Sequence, residues 1–261
     1  MARFKLTIEY QGTRYRGWQI QKNARTVQGE IARAVGAVSE RDDFELYGAG
    51  RTDAGVHALR QVAHLDLQSP PAAETLRRGI NDLLPHDIHL LSVQPTDPRF
   101  HARHHAVARS YLYQVCRRRT AFGKKLVWWV REELHFGRIE QAAKLFVGMH
   151  DCQSFTADKP GDKSSKVLIE KVELREVDDL ILIRVEGSHF LWRMVRRIVG
   201  VLVETGKGAL STEDVRGFPR GPSNRPAELT APPSGLFLER VYYPGDPRLD
   251  PLEPVMTIGS P

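Results

Sequence analysis

The stretch FELYGAGRTDAGVHALRQVAHLDL, residues 44–67, contains two segments with strand character on either side of a glycine-rich loop. Residues 44–47 form a short strand pattern, and residues 58–67 return to one. Three glycines lie among residues 48–55, and glycine permits backbone angles and close approach of a ligand that other residues hinder. The stretch predicts a strand–loop–strand unit whose loop presents Arg51 and Asp53.

The elements around this unit in the first half of the chain alternate between strand and helix. Apolar residues at the matching periods predict, in chain order, a strand, a helix, the strand–loop–strand unit, a second helix closed by Pro85, and a further strand. The order is β-α-β-β-α-β. The ranges of the outer elements are 4–10 for the first strand, 27–38 and 72–84 for the helices, and 88–93 for the last strand.

The second half repeats that order with different residues. The patterns predict a strand, a helix, a hairpin that turns at Asp178 and Asp179, a strong helix and a final strand. Their ranges are 110–116, 138–147, 165–176 with 180–186, 190–205 and 236–243. Two such units in succession predict an α+β fold of two ferredoxin-like halves with a largely antiparallel sheet around a central cleft. We expect an N-terminal half at 1–104, a C-terminal half at 105–245 and a partly disordered tail at 246–261.

Composition indicates the compartment and the kind of partner. The chain has 261 residues with 38 Lys and Arg against 32 Asp and Glu, a net charge of +6, which favours a polyanionic partner. Cys116 and Cys152 show no pairing pattern of a disulfide scaffold. The amino terminus enters a strand at once, and no apolar run approaches the roughly 20 residues of a membrane span. We therefore expect a protein of the reducing cytoplasm.

The loop at 48–55 has three possible interpretations. In a dinucleotide-binding G-x-G-x-x-G loop the third glycine would fall at Asp53, and a helix would follow where this chain returns to a strand. Asp53 alternatively caps the turn, as aspartates often do. In the third interpretation, Asp53 is a reactive carboxylate, used as nucleophile or base, and Arg51 keeps it ionised by charge attraction.

Short motifs along the chain resemble the tRNA pseudouridine synthase A family. The segment GAGRTDAGVHA resembles its signature loop, and the remaining motifs occur in the family's order between about residues 4 and 243. They are YQGT at 10–13, GWQ at 17–19, TVQG at 26–29, QVAH at 61–64, FHAR at 100–103, ARSYLY at 108–113, HFL at 189–191, MVRRIVG at 194–200 and APPSGL at 231–236. One departure is Arg60, where the family often has glycine.

The resemblance implies an enzyme that isomerises uridine to pseudouridine in tRNA, with Asp53 as the catalytic nucleophile. It implies that Tyr111 stacks on the target uracil, that Arg196 lies against the catalytic aspartate, and that Arg51 helps to expel or hold the target nucleotide. Tyr113 shares the strand face of Tyr111, and only the family motif selects Tyr111. The reaction adds and removes nothing overall, so no cofactor and no metal are expected.

The family also implies a substrate and an assembly. The substrate is the anticodon stem-loop of tRNA, at positions 38–40, bound in the central cleft, and the enzyme is commonly a homodimer. A base within an RNA stem must be flipped out before attack, and contacts to phosphates offset the cost of flipping. The residues that we expect to make RNA contacts are Arg14, Arg16, Gln19, Arg25 and Arg103.

The helix predicted at 190–205 carries an independent argument for Arg196. Its apolar stripe places Arg196 and Gly200 on another face, which we expect to approach RNA or the catalytic carboxylate closely. The stripe consists of Leu191, Val195, Ile198 and Leu202, and the other faces also carry Arg193 and Arg197. A solvated face remains the alternative and suits Arg193 best.

Two other classes of protein compete with this interpretation. A non-catalytic RNA-binding module or RNA chaperone shares the charge and the aromatic residues, but gives no reason for Asp53 beside Arg51. A zinc deaminase requires H-x-E and P-C-x-x-C motifs, which the sequence lacks, and a methyltransferase requires a glycine loop that leads into a helix. The histidines at 101, 104 and 105 cluster without partner ligands, which argues against a metal site.

Overall fold

The computed structural model describes residues 1–158, 164–218 and 223–258. The chain divides into two compact units. Unit 1 contains Met1–Val107 and Phe237–Asp246, and unit 2 contains Ala108–Leu236 and Pro247–Pro261. Within the described part of the chain, no helix has the length and apolar character needed to cross a membrane.

Unit 1 begins with the β-α-β-β-α-β order that the sequence predicts. The first helix starts where Thr26 Oγ1 accepts a hydrogen bond from the Gly29 N–H, an N-cap that satisfies one of the free donors of the first turn. The elements are β1 (Ala2–Tyr10), α1 (Val27–Ser39), β2 (Glu45–Gly48), β3 (His57–Leu67), α2 (Ala73–Leu83) and β4 (Ile88–Pro95).

Strand β3 organises the sheet of unit 1. It pairs antiparallel with β1 along its length, and β1 pairs antiparallel with β4 on its other side. Along its second edge, β3 pairs with two strands in succession: its first residues lie parallel to β10 (Leu236–Tyr242), and its later residues lie antiparallel to β2. The glycine-rich loop joins β2 to β3 along this second edge.

Unit 2 contains the remaining strands and helices. They are β5 (Ala108–Cys116), β6 (Trp128–Trp129), α3 (Phe136–Lys144), β7 (Gly148–Asp151), β8 (Lys166–Val177), β9 (Leu180–Gly187), α4 (Met194–Gly206), α5 (Thr212–Gly217) and α6 (Arg225–Glu228). Strands β5, β9, β8 and β7 pair antiparallel in that order, and β6 pairs parallel with β5. The predicted hairpin is confirmed: β8 and β9 are joined by Asp178 and Asp179, and Asp178 has a φ of +50°. Neither β6 nor β7 was predicted.

Helix α4 begins four residues later than predicted. Arg193 has a φ of +62°, in the left-handed region, and so the helix cannot extend back through it to Phe190. Val195, Ile198 and Leu202 of the predicted stripe are buried, but so are all the residues between them except the half-buried Arg196. The helix is therefore enclosed on nearly all sides, and a single apolar stripe describes it poorly.

The tail beyond Asp246 packs onto unit 2 over its described length. The sequence indicated little there to pack, yet Leu252 and Ile258 are buried. The Val255 N–H donates to Gln114 Oε1 at 2.8 Å, and Arg175 Nη1 donates to the Leu252 carbonyl at 2.8 Å. Isolated apolar residues give no periodic signal, so partners in distant strands are not visible from the tail's own sequence. Residues 259–261 lie outside the described part of the chain.

Candidate active site

The loop that carries Asp53 ends in a tight turn. The Val56 N–H donates to the Asp53 carbonyl at 3.1 Å, and Gly55 within the turn has a φ of +80°. Glycine adopts this angle without the steric cost that other residues incur. The residue before the turn, Thr52, is buried, whereas Asp53 is half-buried. The fold thus fixes the backbone here and leaves Asp53 partly exposed.

Segment 10–18, which begins at the last residue of β1, holds this loop by hydrogen bonds. The Trp18 N–H donates to the Thr52 carbonyl at 3.1 Å, and the Gly55 N–H donates to the Tyr15 carbonyl at 3.3 Å. The hydroxyl of Tyr10 lies 2.8 Å from Thr52 Oγ1, with both side chains buried. Backbone and side-chain contacts on both sides of Asp53 therefore limit its movement.

Two glycines of segment 10–18 are required for this close approach. A Cβ at Gly12 would lie 1.8 Å from the Val56 carbonyl oxygen, and one at Gly17 would lie 2.5 Å from the Thr52 carbonyl oxygen. Gly17 also has a φ of +93°. These glycines accommodate the loop itself, which is a structural reason for the YQGT and GWQ motifs.

His57 links the end of the loop to two neighbours. Its Nδ1 accepts a hydrogen bond from the Gly12 N–H at 3.1 Å, and its ring stacks on Phe237 with 4.8 Å between ring centroids. The ring is buried. His57 therefore fixes the start of β3 against both segment 10–18 and β10.

Three of the predicted RNA-contact or substrate residues of unit 1 line one pocket. Arg51 Nε donates to Gln19 Oε1 at 3.2 Å, and Arg103 lies at the same pocket. Gln19 Nε2 in turn donates to Gln28 Oε1 at 2.8 Å. The pocket is also lined by Trp18, Tyr47, Gly48 and Gly50.

The other three predicted RNA contacts have different surroundings. Arg14 and Arg16 are exposed. Arg25 forms an ion pair with Glu30 at 2.6 Å, and its guanidinium lies 5.1 Å from the centre of the Tyr15 ring. A phosphate at Arg25 would therefore share the guanidinium with a carboxylate.

Tyr111 and Tyr113, which the strand pattern could not distinguish, have different environments in β5 of unit 2. Tyr113 is fully buried, its hydroxyl donates to the Pro232 carbonyl at 2.8 Å, and a Cβ at Gly235 would collide with its ring. Tyr111 is half-buried, with its ring edge-to-face against Phe190 at 5.1 Å between centroids. Of the two, Tyr111 is the ring with an accessible part.

Arg193, which precedes α4, and the two arginines within the helix lie in three different environments. Arg193 is exposed, Arg196 is half-buried with Nε donating to the Ala231 carbonyl at 2.7 Å, and Arg197 is buried with Nη1 donating to the Ser154 and Thr156 carbonyls. Burial lowers the pKa of Arg197. Arg197 therefore stabilises the interior of unit 2, where it binds backbone carbonyls.

The prediction that Gly200 approaches a ligand is wrong. A Cβ there would lie 1.6 Å from the Leu229 carbonyl oxygen, so the glycine allows close packing of α4 against the end of α6. Helical periodicity indicates which face carries a glycine, but not which neighbour covers that face.

Comparison with known proteins identifies the family. The family model described as tRNA pseudouridine synthase matches residues 6–105 and 142–244. The chain belongs to this family. It is 37% identical to tRNA pseudouridine synthase A of Coxiella burnetii (strain Dugway 5J108-111), over 94% of each chain. It is 38% identical to tRNA pseudouridine synthase A of Acetivibrio thermocellus, over 93% of this chain and all of the relative.

A solved structure offers a weaker likeness. The archaeal box H/ACA sRNP Nop10-Cbf5 complex matches 75% of this chain and 45% of that chain, with 13% identity and a TM-score of 0.35. A score this low carries no argument about fold. The family assignment therefore rests on sequence, and it makes the protein a tRNA pseudouridine synthase, an intramolecular isomerase.

Sequence reasoning missed several residues that shape this synthase. Tyr47 and His64 form a ring cluster with His101, and Tyr10 holds Thr52. The only available signal was their presence in or beside quoted motifs, because contacts between distant segments leave no periodic trace.

Proposed function

We propose that this synthase isomerises uridines in the anticodon stem-loop of tRNA, at positions 38–40, with Asp53 as the nucleophile. The observation that carries the assignment of Asp53 is that this residue is half-buried, on a loop whose backbone is hydrogen-bonded to segment 10–18 on both sides. Catalysis requires a reacting group held in a fixed geometry and still reachable by substrate.

The chemistry needs no net addition or removal of atoms. The N1–C1′ bond of the uridine breaks, the base rotates while bound, and C5 forms a bond to C1′. The hydrogen on C5 leaves as a proton and N1 gains one, so the product is an isomer. Asp53 forms the covalent adduct that lets the two bond changes occur in separate steps.

Residues of unit 2 complete the proposed mechanism. Tyr111 offers a partly accessible ring for stacking on the target uracil, since Tyr113 is committed to the interior. Arg196, held through its Nε by the Ala231 carbonyl, is the residue of α4 that we propose to act on the catalytic aspartate. Both roles rest on the family motif, and the structure supports them through accessibility.

The RNA contacts, the assembly and the domain plan belong to the same proposal. Arg51 and Gln19 act with Arg103 on the RNA from one pocket, while Arg14, Arg16 and Arg25 contact phosphates. Two ferredoxin-like halves, 1–104 and 105–245, surround an RNA-binding cleft, and a homodimer provides the surface that a monomer of charge +6 lacks. Equal tRNA affinity and activity of dimer and dilute monomer would contradict the dimer proposal. Two buried free thiols, Cys116 and Cys152, suit a cytoplasmic enzyme.

The test is release of tritium from tRNA labelled at uridine C5. Wild-type protein, without added metal or cofactor, is compared with Asp53→Asn and with Asp42→Asn, which changes an exposed aspartate of the same unit. We expect release by wild type and by Asp42→Asn, no release by Asp53→Asn, and tRNA binding by all three. Mapping the product then tests positions 38–40.

The other outcomes decide against parts of the proposal. Release by Asp53→Asn would show that the reaction proceeds through another group. Binding of tRNA without release by wild type would favour the RNA-binding module weighed from the sequence.

A further inference from the structure

Tyr47 is an exposed aromatic residue beside the loop that carries Asp53. It lies in β2 with 43% of its surface exposed, and its ring borders the pocket lined by Arg51 and Arg103. A large aromatic side chain at the surface of a sheet edge gains nothing from core packing. The reaction proposed above gives it no role.

The Tyr47 ring is held in place from behind. It stacks on His64 at 5.8 Å between centroids and meets His101 edge-on at 5.0 Å. His64 is buried, and its Nδ1 accepts a hydrogen bond from the Ala102 N–H at 3.2 Å. Burial, with the charge of Arg3, lowers the pKa of His64 to about 4, so this support is an uncharged ring at neutral pH. The cluster therefore presents an aromatic surface and not a cation.

The polar groups of the pocket floor are already positioned. Gln28 Oε1 accepts from both Gln19 Nε2 and the Ile20 N–H, and Gln28 Nε2 donates to the Leu46 carbonyl. Arg51 is tied to Gln19. A ligand that enters the pocket meets side chains whose orientations are fixed beforehand, which lowers the entropic cost of binding.

Gly50 leaves this pocket open. A Cβ at Gly48 would lie 2.5 Å from Trp18 Nε1, so packing explains that glycine. At Gly50 a Cβ would meet nothing within 4 Å. Protein packing gives no reason for the glycine at position 50, but a ligand lying against the backbone does.

We propose that Tyr47 and this pocket bind an unstacked base of the substrate tRNA, one other than the uridine that reacts. Unpaired bases of RNA stack on aromatic side chains, and Arg51 and Arg103 supply positive charge for the phosphates beside such a base. Because Arg51 belongs to the Asp53 loop, the bound base lies near the target in the same RNA. This inference rests on the proposed function for the identity of the RNA.

The test measures the Kd of a full-length tRNA transcript at several salt concentrations. Tyr47→Leu keeps an apolar side chain but removes the ring, and we expect it to weaken binding by about tenfold at every salt concentration. Tyr47→Phe keeps the ring and should bind within about twofold of wild type. Arg103→Gln should instead reduce the dependence of log Kd on log salt concentration by about one unit of slope. Leu91→Ala, an exposed apolar change in β4, is the control.

Three outcomes decide the inference. Affinity of Tyr47→Leu equal to that of wild type overturns it, and so does an equal loss in Tyr47→Phe, because the hydroxyl would then be the active group. The proposed reaction is tested separately, by tritium release from wild-type protein, so a failure of one claim can be told from a failure of the other. No release by wild type, together with a tenfold loss of affinity in Tyr47→Leu, would support this base site and overturn the proposed reaction.

Discussion

The hydroxyl of Tyr10 lies 2.8 Å from Thr52 Oγ1, and both side chains are buried. Tyr10 is the last residue of β1, and Thr52 immediately precedes Asp53. A central strand of unit 1 thereby holds the backbone next to the proposed nucleophile.

Tyr10→Phe is expected to lower kcat about tenfold with little change in KM. The change removes one buried hydrogen bond, which costs about 1 kcal/mol of unfolding free energy, and lets the Asp53 backbone shift. Tritium-release kinetics and urea unfolding measure the two effects. Tyr243→Phe is the matched control, since its hydroxyl donates to the Ala102 carbonyl and not to the loop. Equal kcat in the two variants would refute a positioning role for Tyr10.

Gly17→Ala is expected to destabilise the protein by about 3 kcal/mol. Alanine is strained at a φ of +93°, and its Cβ would lie 2.5 Å from the Thr52 carbonyl oxygen. Urea unfolding gives the free energy. Gly137→Ala is the opposite control: it lies in α3 with nothing within 4 Å of its Cβ, and should stabilise by about 0.5 kcal/mol. A loss below about 1 kcal/mol at Gly17 would show that the loop moves easily.

Protonation of His64 is expected to destabilise the protein below neutral pH. Its pKa in the folded state is about 4, lowered by burial, against about 6.5 when unfolded. The unfolded state therefore binds the proton first. Above pH 6.5 His64 is neutral in both states and does not lower the free energy of unfolding. As the pH drops toward 4, protonation of the unfolded state lowers this free energy, by about 2 kcal/mol at pH 5. Urea unfolding of wild type and His64→Gln at pH 7.5 and 5.0 measures it, and identical pH dependence in both would contradict the assignment.

Arg184→Met is expected to destabilise unit 2 by about 2–3 kcal/mol. Arg184 is 1% exposed, and its Nη1 donates to Glu173 Oε2 at 3.0 Å. Removing it leaves Glu173 with only Lys171 as an ion-pair partner among the pairs of the described residues. Arg175→Met removes a more exposed ion pair to Glu253 and should cost less than about 1 kcal/mol. Equal unfolding free energies for the two variants would contradict this argument.

Sequence periodicity predicted most elements of unit 1 well because each one carries its own apolar period within a continuous segment of the chain. It failed at α4, where Arg193 breaks a pattern that runs apolar from Phe190 onward. A left-handed angle at a non-glycine residue has no signal in the sequence. Strand β6 was missed since two residues show no period, and β7, the sequence GMHD, lacks the apolar and aromatic alternation that marked the equally short β2.

Prediction of the candidate site was limited because its geometry depends on contacts between residues that are distant in the sequence. The motifs indicated Asp53, Arg51 and Gln19 individually, but they did not show that Arg51 contacts Gln19 or that Gly12 and Gly17 allow the close approach of the loop. Tyr111 and Tyr113 stand two apart on one strand face, so only the Pro232 and Gly235 contacts of Tyr113 distinguish them. Such contacts join residues more than a hundred positions apart.

The parallel pairing of β3 with β10 constrains how the chain can fold during synthesis. Phe237 pairs with His57 and Leu238 with Ala58. The strand that follows the Asp53 loop therefore pairs with a segment about 180 residues further along the chain, which must be synthesised first. Unit 1 is thus interrupted by nearly all of unit 2. A nascent chain that ends before β10 would carry the whole Asp53 loop but leave the start of the β3 edge unpaired, and unpaired strand edges promote aggregation. The β3 edge next to the Asp53 loop is therefore completed only after Phe237 and Leu238 have been synthesised.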